Sequence, residues 1–103
     1  LASNTRFLTP RAGIRLSTLQ PTLRWRGVPG GTTRVNVQVF RIERGGATTV
    51  LSVFTPARAY RMPTGRLAPG ELYVWRVWAQ RGSKGYTPTP IGVSFFSVAD
   101  DAE

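Results

Sequence analysis

The chain contains neither cysteine nor histidine, and it is poor in acidic residues. Without cysteine there is no disulfide, no thiolate nucleophile and no cysteine-containing zinc site. Without histidine the usual general base near neutral pH and the commonest metal ligand are missing. Three of the five carboxylates, Asp100, Asp101 and Glu103, lie at the C-terminal end, which leaves only Glu43 and Glu71 elsewhere. We therefore predict that the chain is not an enzyme and that it has no cofactor and no metal site.

Long hydrophobic runs are absent too. No stretch approaches the ~20 consecutive apolar residues that a membrane-spanning helix needs, and no charged-then-apolar signal segment opens the chain. We predict no membrane insertion by this segment. Because the chain begins with Leu1 and not with Met, we expect it to be an excised domain or a processed fragment whose targeting signals lie outside it.

Basic residues are abundant, and the formal net charge is +9. Such a charge favours polyanions such as nucleic acid, anionic lipid headgroups or acidic wall polymers. The alternative is a compositional bias towards arginine, because the basic residues are spread evenly and form no cluster in the sequence. The candidate polyanion contacts are Arg24, Arg26, Arg76, Arg81 and Lys84.

Apolar and polar residues alternate with a period of two, and Gly and Pro interrupt this alternation about every ten residues. With 103 residues, the pattern predicts one all-β domain, a seven-stranded antiparallel two-sheet sandwich over residues 1–99, followed by an acidic tail or linker at 100–103. Gly45 and Gly46 are predicted to supply the positive-φ positions of a tight hairpin. The predicted strands are a broken first strand at 4–10 and 13–17, then 22–26, 34–43, 48–54, 59–62, 71–80 and 90–98.

The stretch Leu67-Ala68-Pro69-Gly70-Glu71-Leu72-Tyr73 resembles the tyrosine corner of fibronectin type III domains. Pro69 fixes φ, Gly70 permits a sharp turn, and Tyr73 is expected to bury its ring and return its hydroxyl to the corner backbone. Three further segments are similar to strands of that family: the second strand at 21–25, the sixth strand in its bacterial form at 73–79, and the closing strand at 96–98.

The resemblance implies an immunoglobulin-like or fibronectin type III-like sandwich and a non-catalytic role. It also implies an extracellular or periplasmic, envelope-facing location within a larger bacterial protein such as an adhesin, a wall-associated enzyme or a membrane-anchored regulator. The expected partners are another protein or neighbouring domains of the same chain. Fold alone does not fix function, because one fold serves many roles.

The phase of the alternation separates core aromatics from surface aromatics. Trp25, Tyr73 and Trp75 are in phase with the inward residues, so we assign them to the core, with an aromatic platform for carbohydrate as the alternative. Trp78 is out of phase with them. Phe40 and Ile42 are likewise out of phase with the valines of their strand, which in the resembled fold neighbours the strand of Trp78. The predicted partner surface therefore consists of Phe40, Ile42, Arg76 and Trp78, unless a terminal segment or a neighbouring domain covers it.

Overall fold

A computed structural model describes residues 8–82 and 85–103 of the chain. The described residues contain eight β-strands and no α-helix, so the all-β prediction is confirmed. Among them there is accordingly no helix that is long and apolar enough to cross a membrane. The strands are β1 (Leu8–Thr9), β2 (Ile14–Leu16), β3 (Thr22–Trp25), β4 (Arg34–Glu43), β5 (Gly46–Thr55), β6 (Ala59–Arg61), β7 (Leu72–Gln80) and β8 (Gly92–Val98).

The strands form two sheets. One has three strands in the order β1-β3-β6, and the other has five in the order β2-β8-β7-β4-β5. This arrangement is compatible with a β-sandwich, because apolar side chains from both sheets share one buried cluster. The prediction that every pairing is antiparallel is wrong, because β2 runs parallel to β8.

The break predicted in the first strand is where the chain changes sheet. Leu8 pairs opposite Trp25 in the three-stranded sheet, whereas Ile14 pairs opposite Phe96 in the five-stranded sheet. Between them Gly13 adopts φ +86°, and the carbonyl of Pro10 accepts a hydrogen bond from the Ser94 hydroxyl at 3.1 Å. The two pieces are separate strands, so the described residues hold eight strands where the sequence predicted seven. Residues 4–7 of the predicted first strand lie outside the described residues.

The β4–β5 hairpin turns through Arg44 and Gly45. Glu43 pairs with Gly46 across the end of the ladder, and Gly45 has φ +83°. The predicted role of Gly45 is confirmed. Gly46 is not in the left-handed region; it is the first residue of β5, so its predicted role in the turn is wrong.

A β-bulge further along the same ladder changes the phase of β5. Val39 pairs with Leu51 but Phe40 pairs with Thr49, so Val50 is the extra residue. A bulge of this kind bends the strand and leaves one residue without a partner across the ladder.

The core lies between the two sheets. The inward valines of β4 and the inward residues of β7 are fully buried, and they pack with the inward residues of β1 and β3. Trp25 and Trp75 are 3% and 0% exposed, and neither indole N–H has a hydrogen-bond partner among the described residues. An unpaired buried N–H costs about 1–3 kcal/mol. The free energy gained by burying each of these two rings therefore has to exceed that cost.

The corner between β6 and β7 has the local geometry that its sequence predicts. The Tyr73 hydroxyl accepts a hydrogen bond from the backbone N–H of Ala68 at 2.8 Å, and the Tyr73 ring stacks on Phe96 with centroids 5.6 Å apart. Leu67 is buried and Pro69 is exposed. Gly70 adopts φ +79°, and a Cβ at this position would lie 2.8 Å from a carboxylate oxygen of Asp100. The positive φ favours glycine at position 70, whereas the exposed Asp100 side chain could move away from a Cβ there.

The residues after β8 contact the loop that follows β2. The Leu19 N–H donates to the carbonyl of Glu103 at 3.0 Å, and the Ala99 N–H donates to the carbonyl of Leu16 at 2.8 Å. Ala102 is only 7% exposed. Residues 100–103 thus lie against the domain, while the domain boundary at residue 99 stays a prediction.

Candidate interaction surface

The side of the five-stranded sheet that faces away from the core is called here the outer face. Strand register places its residues in rows across β7, β4 and β5. Trp78 lies opposite Asn36, and Asn36 opposite Phe54, in one row. The next rows are formed by Arg76, Gln38 and Ser52, and then by Val74, Phe40 and Thr49.

Arg76 lies between two aromatic rings on this face. Its guanidinium carbon is 5.0 Å from the ring centroid of Phe40 and 5.3 Å from that of Trp78. The side-chain oxygen of Gln38 accepts two hydrogen bonds, from Arg76 Nε at 2.7 Å and from Trp78 Nε1 at 3.1 Å. We call Gln38, Phe40, Arg76 and Trp78 the arginine–aromatic cluster. Because each member is held by another, the cluster presents a preorganised surface to a partner.

Two open depressions flank Arg76. One has a volume of about 320 Å³ and the other of about 280 Å³. Arg76 lines both, so a partner side chain in either depression would contact its guanidinium. The first is lined by Asn36, Gln38, Arg76, Trp78 and Tyr86, and the second by Phe40, Ile42, Ala47, Val74 and Arg76.

The structure brings the four residues of the predicted partner surface to the outer face. Phe40 and Trp78 are on the same face but are not in direct ring contact; the guanidinium of Arg76 lies over both. Ile42 lines the second depression beside Phe40. All four side chains are half-buried, so the surface is not a set of freely exposed aromatics.

A second aromatic group, missed by the sequence reasoning, lies beside the cluster. Phe54 is 54% exposed, and its ring centroid is 6.3 Å from that of Tyr86. The guanidinium carbon of Arg34 lies 4.8 Å from the Phe54 centroid. The signal in the sequence was that Phe54 follows the inward Val53 and therefore has the opposite phase. The outward positions of β4, β5, β7 and β8 include aromatic and arginine side chains but no carboxylate.

The candidate polyanion contacts do not form one surface. Arg24 is exposed on β3 of the three-stranded sheet, and Arg26 is exposed just after that strand. Arg76 is on the outer face of the other sheet, and Arg81 is exposed after β7. Lys84 lies outside the described residues. The fold therefore distributes these cations over two sheets and a loop.

Glu43, one of the two carboxylates outside the C-terminal end, has structural contacts at the hairpin. Glu43 accepts a hydrogen bond from Arg41 Nε at 2.9 Å and another from the Thr48 hydroxyl at 2.8 Å. These bonds lower the pKa of Glu43 below its ordinary value of 4.5, and the same contact raises the pKa of Arg41. The part of the chain that the structure describes has no group of three or more acidic side chains that could hold a metal ion.

Comparison with known proteins assigns no family to this chain, so only its fold and its surface describe it. No protein-family model and no curated protein matches the chain. The described residues form an all-β domain with two sheets, one of which carries the arginine–aromatic cluster on its outer face.

Proposed function

We propose that this chain is a non-catalytic interaction and spacer module of a larger extracellular or envelope protein. Its partner is another protein or a neighbouring domain, which docks on the outer face around Phe40, Ile42, Arg76 and Trp78. The observation that carries the proposal is the placement of Arg76 over two aromatic rings on a sheet face whose described residues include no carboxylate. Arginine and aromatic side chains are enriched at the energetic centres of protein interfaces.

We further propose that the sandwich is of the fibronectin type III-like kind. Two observations support this. The hydroxyl of Tyr73 bonds to the backbone of its own corner, and the strands expected to be neighbours, β4 and β7, pair over most of their length. The extracellular or periplasmic location and the bacterial origin rest on the resemblance alone. A spacer role is consistent with the elongated shape, which measures 42 × 26 × 22 Å.

Peptide selection tests the docking surface without requiring that the natural partner be identified. A random peptide library displayed on phage is selected against the immobilised domain, and the binders are then measured against Trp78→Ala. We expect binding to weaken about tenfold or more, as at an interface hot spot. The melting temperature should stay nearly unchanged, because Trp78 is outside the core cluster.

Arg24→Ala is the matched control, because Arg24 is exposed on the other sheet. Binders that respond equally to both substitutions, or to neither, would show that the outer face is not the preferred docking surface. A large loss of stability in Trp78→Ala would assign Trp78 to the folding of the domain instead.

Polyanion binding remains the alternative, and the net charge of +9 is the observation in its favour. A polyanion would bind through a diffuse set of arginines, because the candidate contacts lie on different sheets. Its affinity would fall steeply with salt, since each neutralised phosphate releases counterions. Carbohydrate binding would use exposed aromatics, and Phe54 and Tyr86 are the exposed pair that could stack on a sugar.

A further inference from the structure

The strand β5 forms one edge of the five-stranded sheet and pairs only with β4. It is ten residues long, and Gly46–Thr55 contains no charged residue and no proline. Edge strands of natural proteins are usually protected by charges, proline, short length or covering segments. The bulge at Val50 and the Arg66 side chain over the Val50 carbonyl are such features here. The edge is therefore long, uncharged and largely unprotected.

The backbone of this edge is accessible to hydrogen-bond donors from outside the sheet. Arg66, in the loop between β6 and β7, donates from Nη1 to the carbonyl oxygen of Val50 at 2.9 Å. Among the described residues, no backbone group other than those of β4 bonds to the backbone of β5. An incoming strand could thus replace the guanidinium with its own N–H groups.

The surroundings of β5 are positively charged. Arg34 stacks on Phe54, Arg58 donates to the carbonyl of Pro56 at 3.1 Å, and Arg66 caps Val50. None of these three arginines forms an ion pair in the described part of the chain. Among the described acidic residues, the one in contact with β5, Glu43, accepts a hydrogen bond from Thr48 near the start of the strand and is already paired with Arg41. A strand that adds here would meet the uncompensated cations Arg58 and Arg66, which favours an acidic partner.

We propose that β5 is a second docking edge, at which an extended acidic peptide segment of a partner protein adds as a sixth strand of the sheet. Main-chain hydrogen bonds to β5 supply affinity, and alternate side chains supply specificity. Apolar side chains of the segment pack beside Phe54, and its carboxylates meet Arg58 and Arg66. This inference goes beyond the proposed function, because it uses the edge of the sheet and not the arginine–aromatic cluster.

The probe for the test is a synthetic peptide of the length of β5 in which Glu alternates with Val and Thr. Two matched peptides carry Lys in place of Glu, or N-methyl groups on alternate amides. Binding is measured by calorimetry, and hydrogen exchange of the β5 amides by NMR. We expect the acidic peptide to bind and to slow exchange along β5, while each matched peptide binds at least about tenfold more weakly.

Single substitutions distinguish binding at the β5 edge from binding at the outer face. Arg66→Gln should weaken binding of the acidic peptide about threefold, the size expected for one exposed charge contact. Arg24→Gln removes the same charge on the other sheet and should leave binding within error. Trp78→Ala should also leave binding of the acidic peptide unchanged. The proposal for the β5 edge and the proposed function of the outer face can therefore fail independently.

Three results would overturn the proposal. The first is binding that survives N-methylation, because backbone pairing would then not be involved. The second is absence of slowed exchange in β5 at saturating peptide. The third is protection of β5 that grows with protein concentration in the absence of peptide, which would assign the edge to a second copy of the chain.

Discussion

The chemistry of the outer face depends on single side chains, and Arg76 is the clearest case. Its planar guanidinium can stack on Phe40 and Trp78 while Nε donates to Gln38. A lysine would keep the charge but could reproduce neither the planar stacking nor the directed Nε bond. The type of residue at this position therefore matters as much as its charge.

The hydroxyl of Tyr73 stabilises the turn before β7 through one hydrogen bond. Tyr73→Phe removes the acceptor for the Ala68 N–H and leaves the rest of the buried ring in place. We expect the free energy of unfolding to fall by about 1–2 kcal/mol, because a half-buried donor loses its partner. Urea denaturation of both proteins measures the difference.

Tyr86→Phe is the control for that substitution. Tyr86 is 40% exposed, and its ring, not its hydroxyl, contacts Phe54. Loss of the Tyr86 hydroxyl should change the free energy of unfolding by less than about 0.5 kcal/mol. Equal effects of the two substitutions would mean that the Tyr73 hydroxyl contributes nothing particular to the corner.

At the scale of elements, β4 was the most predictable strand of the fold. Alternation over ten residues, with a glycine pair after it, placed β4 at the bounds that the structure has. The bulge at Val50 and the earlier start of β5 were not predicted. They depend on how two strands pair, and a single strand's alternation does not contain that information.

The two hairpin glycines provide a matched pair of substitutions. A Cβ at either position meets no atom within 4 Å, but only Gly45 has a positive φ. We expect Gly45→Ala to lower the free energy of unfolding by about 1 kcal/mol, because L-residues are disfavoured in the left-handed region. Gly46→Ala should leave it unchanged or slightly higher, because alanine loses less backbone entropy in a strand. Thermal melts distinguish the two, and a reversed order would contradict this assignment of the turn.

At the scale of the whole molecule, charge controls the response to pH. The chain has no histidine to titrate near neutral pH, and its five carboxylates are the only groups that offset fourteen Lys and Arg. We expect stability to be nearly constant from about pH 5 to pH 7. Below that range it should fall, because protonated carboxylates leave the cations to repel one another.

Glu43 contributes to that fall with a defined sign. Its pKa is lowered in the folded state by hydrogen bonds from Arg41 and Thr48. The stabilisation is therefore present above the ordinary pKa of 4.5 and is lost as pH falls through the lower folded value. Glu43→Gln should be less stable than the parent at pH 7, and the difference should shrink at pH 3 in denaturation curves. A constant difference would show that the charge of Glu43 does not act through this pair.

The candidate surface was partly predictable for the same physical reason as the strands. Phe40, Ile42 and Trp78 were assigned to one face because they are out of phase with the buried residues of their own strands. Phe54 was missed although its phase is opposite to that of the inward Val53, and its contact with Arg34 depends on the pairing of β4 with β5. The candidate polyanion contacts form no cluster in the sequence, and the fold likewise places Arg24 and Arg76 on different sheets.

The sequence by itself determined the all-β class, most strand positions, the corner at Tyr73 and the inward and outward phases, because these follow from local alternation and turn chemistry. Only the tertiary structure decided that β1 and β2 join different sheets, that β2 runs parallel to β8, and that β5 is left at an edge. It also placed Arg76 between Phe40 and Trp78. These features depend on pairing between residues far apart in the chain, and the sequence pattern of one strand does not specify its neighbour.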